Sequence, residues 1–124
     1  MALDNMYSYI GDTTLVWISG TLMYVREPLV LLKQLGELNA DFLFISRTTI
    51  WNRPARLIKQ TSPKHTYNGT RLSYPLWMLN REDLIECLPG YVLCQEYEMS
   101  EDTHWLPGYG RFSYQGMGFR RSLP

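Results

Sequence analysis

The sequence predicts an α/β fold on a mostly parallel sheet, and three stretches carry that expectation. Leu15-Val16-Trp17-Ile18 is an apolar run that breaks into Ser19-Gly20-Thr21. A short apolar run bounded by turn residues suits a strand buried on both faces. Leu29, Leu32, Leu35 and Leu38 then recur at roughly helical spacing behind Pro28. Proline fits the first helical position, where its missing N–H costs nothing. Asn39 and Asp41 stop this helix, and Phe42-Leu43-Phe44-Ile45 is a second apolar run, ended by Ser46-Arg47-Thr48. Strand, helix and strand within about 30 residues is the size of a βαβ unit. Such units are parallel and right-handed, and ligands gather outside the carboxyl ends of their strands. Ser19-Gly20-Thr21 and Arg47-Thr48 both lie at such ends, so any chemistry is expected there.

The remaining elements follow in order. Met6, Tyr7, Tyr9 and Ile10 can close a helix that ends at Gly11. From Arg47 to Leu79 no regular element is evident, apart from one helical turn at Arg56-Leu57-Ile58-Lys59-Gln60. A loop that long is uncommon in a compact domain and is usually functional, or hides an element. Between Ser46 and Arg81 there is no Asp or Glu, while Arg47, Arg53, Arg56, Lys59, Lys64 and Arg71 are basic and Trp51, Tyr67, Tyr74 and Trp77 are interleaved. This segment reads either as a solvated basic cover pinned by aromatics or as a lid for an anionic or sugar-like substrate. Asn80 to Leu88 reads as a second helix, with Asn80 as N-cap, Glu82 and Asp83 complementing the helix N-terminus, and Pro89-Gly90 as its end. Tyr91 to Tyr97 reads as a strand, Met99 to Gly110 as a loop, and Arg111 to Arg121 as a last strand bent or bulged at Gly116 and Gly118.

Composition narrows the function. At 124 residues the chain is one domain or part of one, and its formal net charge is zero. It therefore has no general bias towards nucleic acid or membrane, although the local basic stretch can meet phosphates. Asp4 and Asp12 stand where a secretory leader would be basic. The run from Leu15 to Val25 is too short to span a membrane. A soluble, cytoplasmic protein is expected. Cys87 and Cys94 read as two buried thiols, and His65 and His104 belong to no ligand-spaced cluster, so no metal site is expected. Asn68-Gly69-Thr70 reads as a turn.

Candidate site residues come with two readings each. Arg47, with Thr48 beside it, can pair with a substrate carboxylate or phosphate, or make a structural salt bridge. Tyr74 and Trp77 can stack on a substrate ring, or pin the loop to the core. His65 is the plausible general base of the loop, though a lone loop histidine is often neither base nor ligand.

The order strand, helix, strand, long loop, helix, strand, loop, strand resembles strands four to seven of a Rossmann-like S-adenosylmethionine-dependent methyltransferase. Leu15 to Val25 resembles that family's fourth strand and the loop after it, and Arg26-Glu27-Pro28-Leu29 the start of the next helix. Ile45-Ser46-Arg47-Thr48, Ser73-Tyr74-Pro75-Leu76-Trp77 and Gly118-Phe119-Arg120-Arg121 resemble a little-characterised bacterial branch often linked to surface glycans. The resemblance covers about Thr14 to Ser122. It implies a partial three-layer sandwich with an antiparallel last strand. It also implies that Ser19, Gly20 and Thr21 pass the cofactor's methionine end, and that Arg47, Thr48, Tyr74 and Trp77 meet the substrate.

One departure governs the rest. The family's glycine-rich turn and ribose-binding acid should precede the fourth strand, yet only residues 1–13 do so here. Residues 1–124 are thus expected to form a single domain lacking the cofactor-binding half, inactive alone, with S-adenosylmethionine as cofactor of the intact enzyme. The alternative is a non-catalytic interaction module, or truncated remnant, that binds a partner through residues 47–79. Expected partners are a small-molecule or glycan-like substrate, and either further copies of the chain or a second chain supplying the missing half. Neither membrane nor nucleic acid is expected.

Overall fold

The computed structural model describes residues 14–61 and 73–122. In order these form β1 (Leu15–Ser19), a 3-10 turn (Leu22–Tyr24), α1 (Pro28–Gly36), β2 (Phe42–Trp51), β3 (Arg56–Thr61), β4 (Ser73–Asn80), α2 (Arg81–Glu86), β5 (Tyr91–Leu106) and β6 (Gly110–Arg121). The expected helix before Gly11, the turn at Asn68-Gly69-Thr70 and the candidate base His65 lie outside the described residues.

The expected βαβ unit is present. β1 and β2 run parallel, with Leu15 to Ser19 opposite Phe42 to Ser46. Pro28 opens α1 at its first turn. Leu32, Leu35 and Leu38 are buried, so the leucine stripe faces the core. Asn39 has φ +58, a left-handed conformation that asparagine tolerates better than most residues, and it turns the chain into β2. Asp41 then ties three chain segments together. Its carboxylate accepts from the Thr14 backbone N–H at 2.9 Å and pairs with the Arg121 guanidinium at 2.9 Å.

The sheet is mixed rather than mostly parallel. Its order is β3-β4-β2-β6-β5, with β1 also paired to β2. β1–β2 and β2–β4 are parallel, whereas β2–β6, β3–β4 and β5–β6 are antiparallel. The segment expected to be irregular is what shifts the balance. β2 does not stop at Ser46 but continues to Trp51, and β3 and β4 form an antiparallel pair beside its far end. Arg56 to Gln60 is strand, not a helical turn, because each residue pairs across to β4. Met99 to Gly110 is likewise not a loop, since β5 runs on to Leu106 and turns tightly into β6.

A bulge makes the long β2 possible. The β2–β6 register shifts between Ile45 and Thr48, and Arg47 within the bulge has φ +49. An extra residue in a strand reverses which residues face which side. Leu43, Ile45, Thr48 and Ile50 all end up buried, although their numbering changes parity.

The larger core cluster lies on one face, and a smaller one of Met23, Leu76 and Met78 lies on the other. Leu32, Leu35, Leu84 and Leu88 from the helices meet Leu43, Ile45, Met117 and Phe119 from the sheet. Both described α-helices cover the face of the larger cluster, and among the described residues the other face carries the 3-10 turn rather than a layer of α-helices. Asn80 caps α2 by accepting from the Asp83 N–H at 2.9 Å. Arg81 at the start of α2 grips Glu96 of β5 through both carboxylate oxygens, at 2.6 and 3.0 Å, which holds the Glu96 carboxyl below the usual carboxylate range. Of the two cysteines, Cys87 is half-buried, with burial pushing its thiol up, while Cys94 is exposed rather than buried. Cys94 sits where the β5–β6 register shifts, and a bulged residue is turned out of the ladder.

The opposite face is aromatic and partly bare. Trp17 and Phe44 lie with ring centroids 6.5 Å apart, and Phe44 stacks on Tyr97 at 5.8 Å. β6 separates β2 from β5, and this contact crosses it over Gly116 and Gly118. A Cβ on Gly116 would stand 2.1 Å from the Tyr97 ring, and one on Gly118 would stand 3.2 Å from the Phe44 ring. These glycines leave room for neighbouring rings, and the ladder irregularities beside them fall on β2 and β5. Trp17 is 65% exposed and Leu15 58% exposed on this face.

Gly116→Ala should push the Tyr97 ring off Phe44 and lower the unfolding free energy by about 1 kcal/mol or more, the worth of a ring pair. In urea denaturation the cost should shrink sharply when Tyr97 is already Ala, since the two positions share one volume. Additive losses would refute the shared-volume account.

Candidate functional site

The carboxyl end of β1 and the bulge of β2 meet at one place, and elements from four parts of the chain converge there. Ser19 ends β1, and Gly20 adopts φ +60, which glycine alone enters without steric cost. The Gly20 N–H donates to the Ser46 carbonyl at 3.0 Å, so the turn is pinned to β2 just before the bulge. Thr21 closes the turn by donating to the Ser19 carbonyl at 2.9 Å. The Trp17 indole N–H donates to the Ser46 hydroxyl at 2.8 Å, which fixes the same junction from the aromatic face.

Beyond the turn, the 3-10 segment carries Tyr24 into a group of phenols. Its ring meets Tyr74 of β4 edge-on at 5.8 Å, and its hydroxyl reaches the Gln60 side-chain carbonyl at 3.3 Å. Burial first, and then the neighbouring Tyr114 and Tyr74 phenols, raise the Tyr24 hydroxyl above the ordinary phenol range. Tyr24 is thus a hydrogen-bond donor throughout the neutral range. Tyr114 projects from β6 beneath the Arg47 guanidinium, 6.0 Å from ring centroid to carbon. His104 of β5 lies edge-on to Tyr114 at 5.2 Å and stacks on Phe112 at 5.5 Å.

The sequence-expected residues divide between this cluster and the interior. Ser19, Gly20, Thr21, Arg47 and Tyr74 surround it. Thr48 is fully buried, and its hydroxyl donates to the Ser46 carbonyl at 2.8 Å, bracing the bulge from inside. Trp77 projects from the face of β4 opposite Tyr74, as residues an odd number apart on a strand must. It lines an apolar cleft of about 380 Å³ with Pro28, Leu29, Val30 and Leu79, and its carbonyl accepts from the Thr49 hydroxyl at 2.6 Å. Tyr24, Tyr114 and His104 were not foreseen. The period-2 alternation through Phe112, Tyr114, Gly116 and Gly118 is the sequence signal for one aromatic strand face. Tyr24 and His104 become neighbours only through tertiary pairing. Among the described residues no group of three or more His, Cys, Asp or Glu side chains is placed to hold a metal.

The fold has solved counterparts. It is similar to a crystal structure of the N-terminal domain of EvdMO1 in the presence of SAH and D-fucose, with a TM-score of 0.55 and 17% identity, covering 99% of this chain and 53% of that one. A second structure of the same domain, with SAH bound, gives a TM-score of 0.50 and 16% identity, over 99% and 52% of the two chains. This chain therefore spans about half the length of the structures it matches, and at these identities the likeness is one of fold. No family model and no curated protein matches the sequence. Among the described residues no helix is long and apolar enough to cross a membrane.

Arg47 marks the point where the site and the fold part company. Arg47→Ala should cost less than about 2 kcal/mol in urea denaturation, since a partly solvated side chain is being shortened. Arg47→Gly should be more stable than Arg47→Ala by about 1 kcal/mol, because glycine enters the left-handed region freely. A larger loss in both variants would show a structural ion pair instead.

Proposed function

We propose that this chain forms the substrate-side part of an S-adenosylmethionine-dependent methyltransferase domain. Two observations support the reading. β6 lies between β2 and β5 and antiparallel to both, beside a parallel β1–β2 pair. The fold is also similar to that of a domain seen with SAH, the demethylated form of that cofactor.

The described residues fit one side of such a cofactor. At Gly20 the nearest atom to a Cβ would be 4.0 Å away, so the Ser19–Thr21 backbone has room for a ligand to approach. No described strand leads through a glycine-rich turn into a helix, so a holder for the adenosine end is lacking among these residues. When bound, the cofactor would supply an electrophilic methyl carbon on a sulfonium. The chain's own residues would align the acceptor and exclude water. Arg47 would orient an anionic or polar group of the acceptor, and the Tyr24 oxygen, whose one proton goes to Gln60, would accept a hydrogen bond from it. Tyr74 and Tyr114 would wall off solvent, and His104 would be the imidazole within reach for a departing proton. The acceptor is read as a small hydroxyl-bearing molecule, glycan-like, in keeping with the D-fucose in the EvdMO1 structure.

The second reading, an interaction module using residues 47–79, is favoured by the arginines stacked on aromatic rings at Arg53 and Arg56. Upstream coding sequence separates the two. An in-frame strand and glycine-rich turn supports the enzyme. A stable, soluble product that starts at Met1 supports the module.

Isothermal calorimetry with S-adenosylmethionine should show no tight binding by this chain alone. Micromolar binding would mean that the cofactor site has been misplaced. Unless residues 1–12 fold back over them, the aromatic face and the outer edge of β1 are read as a self-association surface, because apolar strand edges and faces recruit partners. Light scattering at tens of micromolar should therefore report more than a monomer. A clean monomer with one cooperative unfolding transition would sink that idea.

A further inference from the structure

A second group of cations lies where β2 ends, away from the bulge. Trp51 closes β2, Arg56 opens β3, and Tyr109 sits in the turn between β5 and β6. The Trp51 and Tyr109 rings lie 5.2 Å apart. The Arg53 guanidinium lies over both, 5.9 Å from the Trp51 ring and 5.1 Å from that of Tyr109. The Arg56 guanidinium is also 5.1 Å from the Tyr109 ring and donates to its hydroxyl. The connecting loop is fixed at two points. The Trp51 indole N–H donates to the Pro54 carbonyl at 3.1 Å, and the Asn80 amide donates to the Arg53 carbonyl at 2.9 Å.

Two like charges are thus held against one ring. Among the described residues neither has a carboxylate within ion-pair distance, whereas Arg81 has two and Arg121 has one. Stacking occupies the flat face of a guanidinium and, apart from the Arg56 N–H given to Tyr109, leaves the N–H edges for an anion. The edge suits phosphate oxygens best, because they accept several parallel N–H bonds and carry about two charges. Trp51 and the adjoining Asn52 also line a cavity of about 360 Å³, whose other walls include Ser113 and Gln115. The cavity's charged groups, Arg81 and Arg111 against Glu96 and Glu98, balance. A neutral group rich in hydroxyls matches that lining.

We propose that Arg53, Arg56 and Tyr109 bind the phosphate or diphosphate group of a small molecule whose neutral, hydroxyl-rich remainder enters the adjoining cavity. The site is a pair of arginines beside a cavity that shares Trp51 with it, and not a basic stripe, and the chain's net charge is zero, which separates it from a nucleic-acid surface. The inference does not depend on methyl transfer.

The test is an NMR titration of the intact chain with inorganic pyrophosphate and with glucose 1-phosphate, at matched ionic strength against sodium chloride. Saturable shifts are expected at the Trp51 indole and the Arg53 and Arg56 side-chain N–H groups. Both phosphates should compete for one site, with glucose 1-phosphate also moving Asn52 and Gln115. Arg53→Gln with Arg56→Gln should weaken binding at least about tenfold, as expected for lost charge-assisted bonds. Arg120→Gln, on an exposed part of β6, should leave binding unchanged. Should the double Gln variant unfold, Arg53→Lys with Arg56→Lys keeps the charge but loses the planar fork, and weakening is again expected. Non-saturating shifts, equal shifts with chloride, affinity retained in a folded Gln or Lys variant, or tighter binding of a single-stranded oligoribonucleotide would each overturn the proposal.

Discussion

β2 carries neighbours along both edges, and the rest of the structure depends on how it manages this. Its first half pairs with β1 and its last two residues with β4, both on the edge away from β6. A straight strand of ten residues would keep one side-chain parity throughout, and the polar Ser46-Arg47-Thr48 would then disturb the buried face. The bulge absorbs this polar step. Arg47 turns outward, Thr48 turns inward and satisfies its hydroxyl on the Ser46 carbonyl, and Ile50 returns to the core. The Gly20 N–H and the Trp17 indole both bond to Ser46, so the bulge also sets where β1 ends. The position of the candidate site follows from a strand irregularity and not from a dedicated loop.

Much of the fold was legible because local and global signals agree in the first half of the chain. Pro28, the leucine spacing and the two apolar runs each point to βαβ, and burial of Leu32, Leu35 and Leu43 satisfies all of them. Asn80 was readable as a cap for a similar reason, since the acidic residues after it complement the same helix terminus. The segment from Arg47 to Leu79 was not legible, because its strands are edge-like. β3 alternates exposed and half-buried residues with Arg, Lys and Gln among them, and charged edge strands lack the apolar rhythm that marks a buried one. β5 was read too short for a related reason. Its outer half gains its pairing from β6, and no hydrophobic pattern along β5 itself announces it.

The site was legible only where chain direction defines it. Ser19 to Thr21 and Arg47 lie at strand carboxyl ends, and topology alone brings such ends together. Tyr24, Tyr114 and His104 come from a 3-10 turn and two antiparallel strands. Their meeting depends on the β6 register, which the bulge shifts. Tyr74 and Trp77 show the converse. They are close in sequence and were grouped as one pair of stacking rings, but strand pleating assigns one to the phenol cluster and the other to the cleft beside α1.

The insertion of β6 between β2 and β5 also bears on the order in which the molecule assembles. The central strand β2 has a parallel neighbour made before it, but its antiparallel neighbour comes from residues 110–121. Contacts distant along the chain form late, and tight hairpins form early. β5 and β6 are joined by a short turn and are paired from Tyr91–Arg121 to Leu106–Gly110, so they are suited to close first and dock on β2 as one body. Until that docking, Leu43 and Ile45 are without Phe119 and Met117. The nascent βαβ unit then has an unfinished core with both edges of its sheet open, and in that interval the chain is most exposed to association with its neighbours.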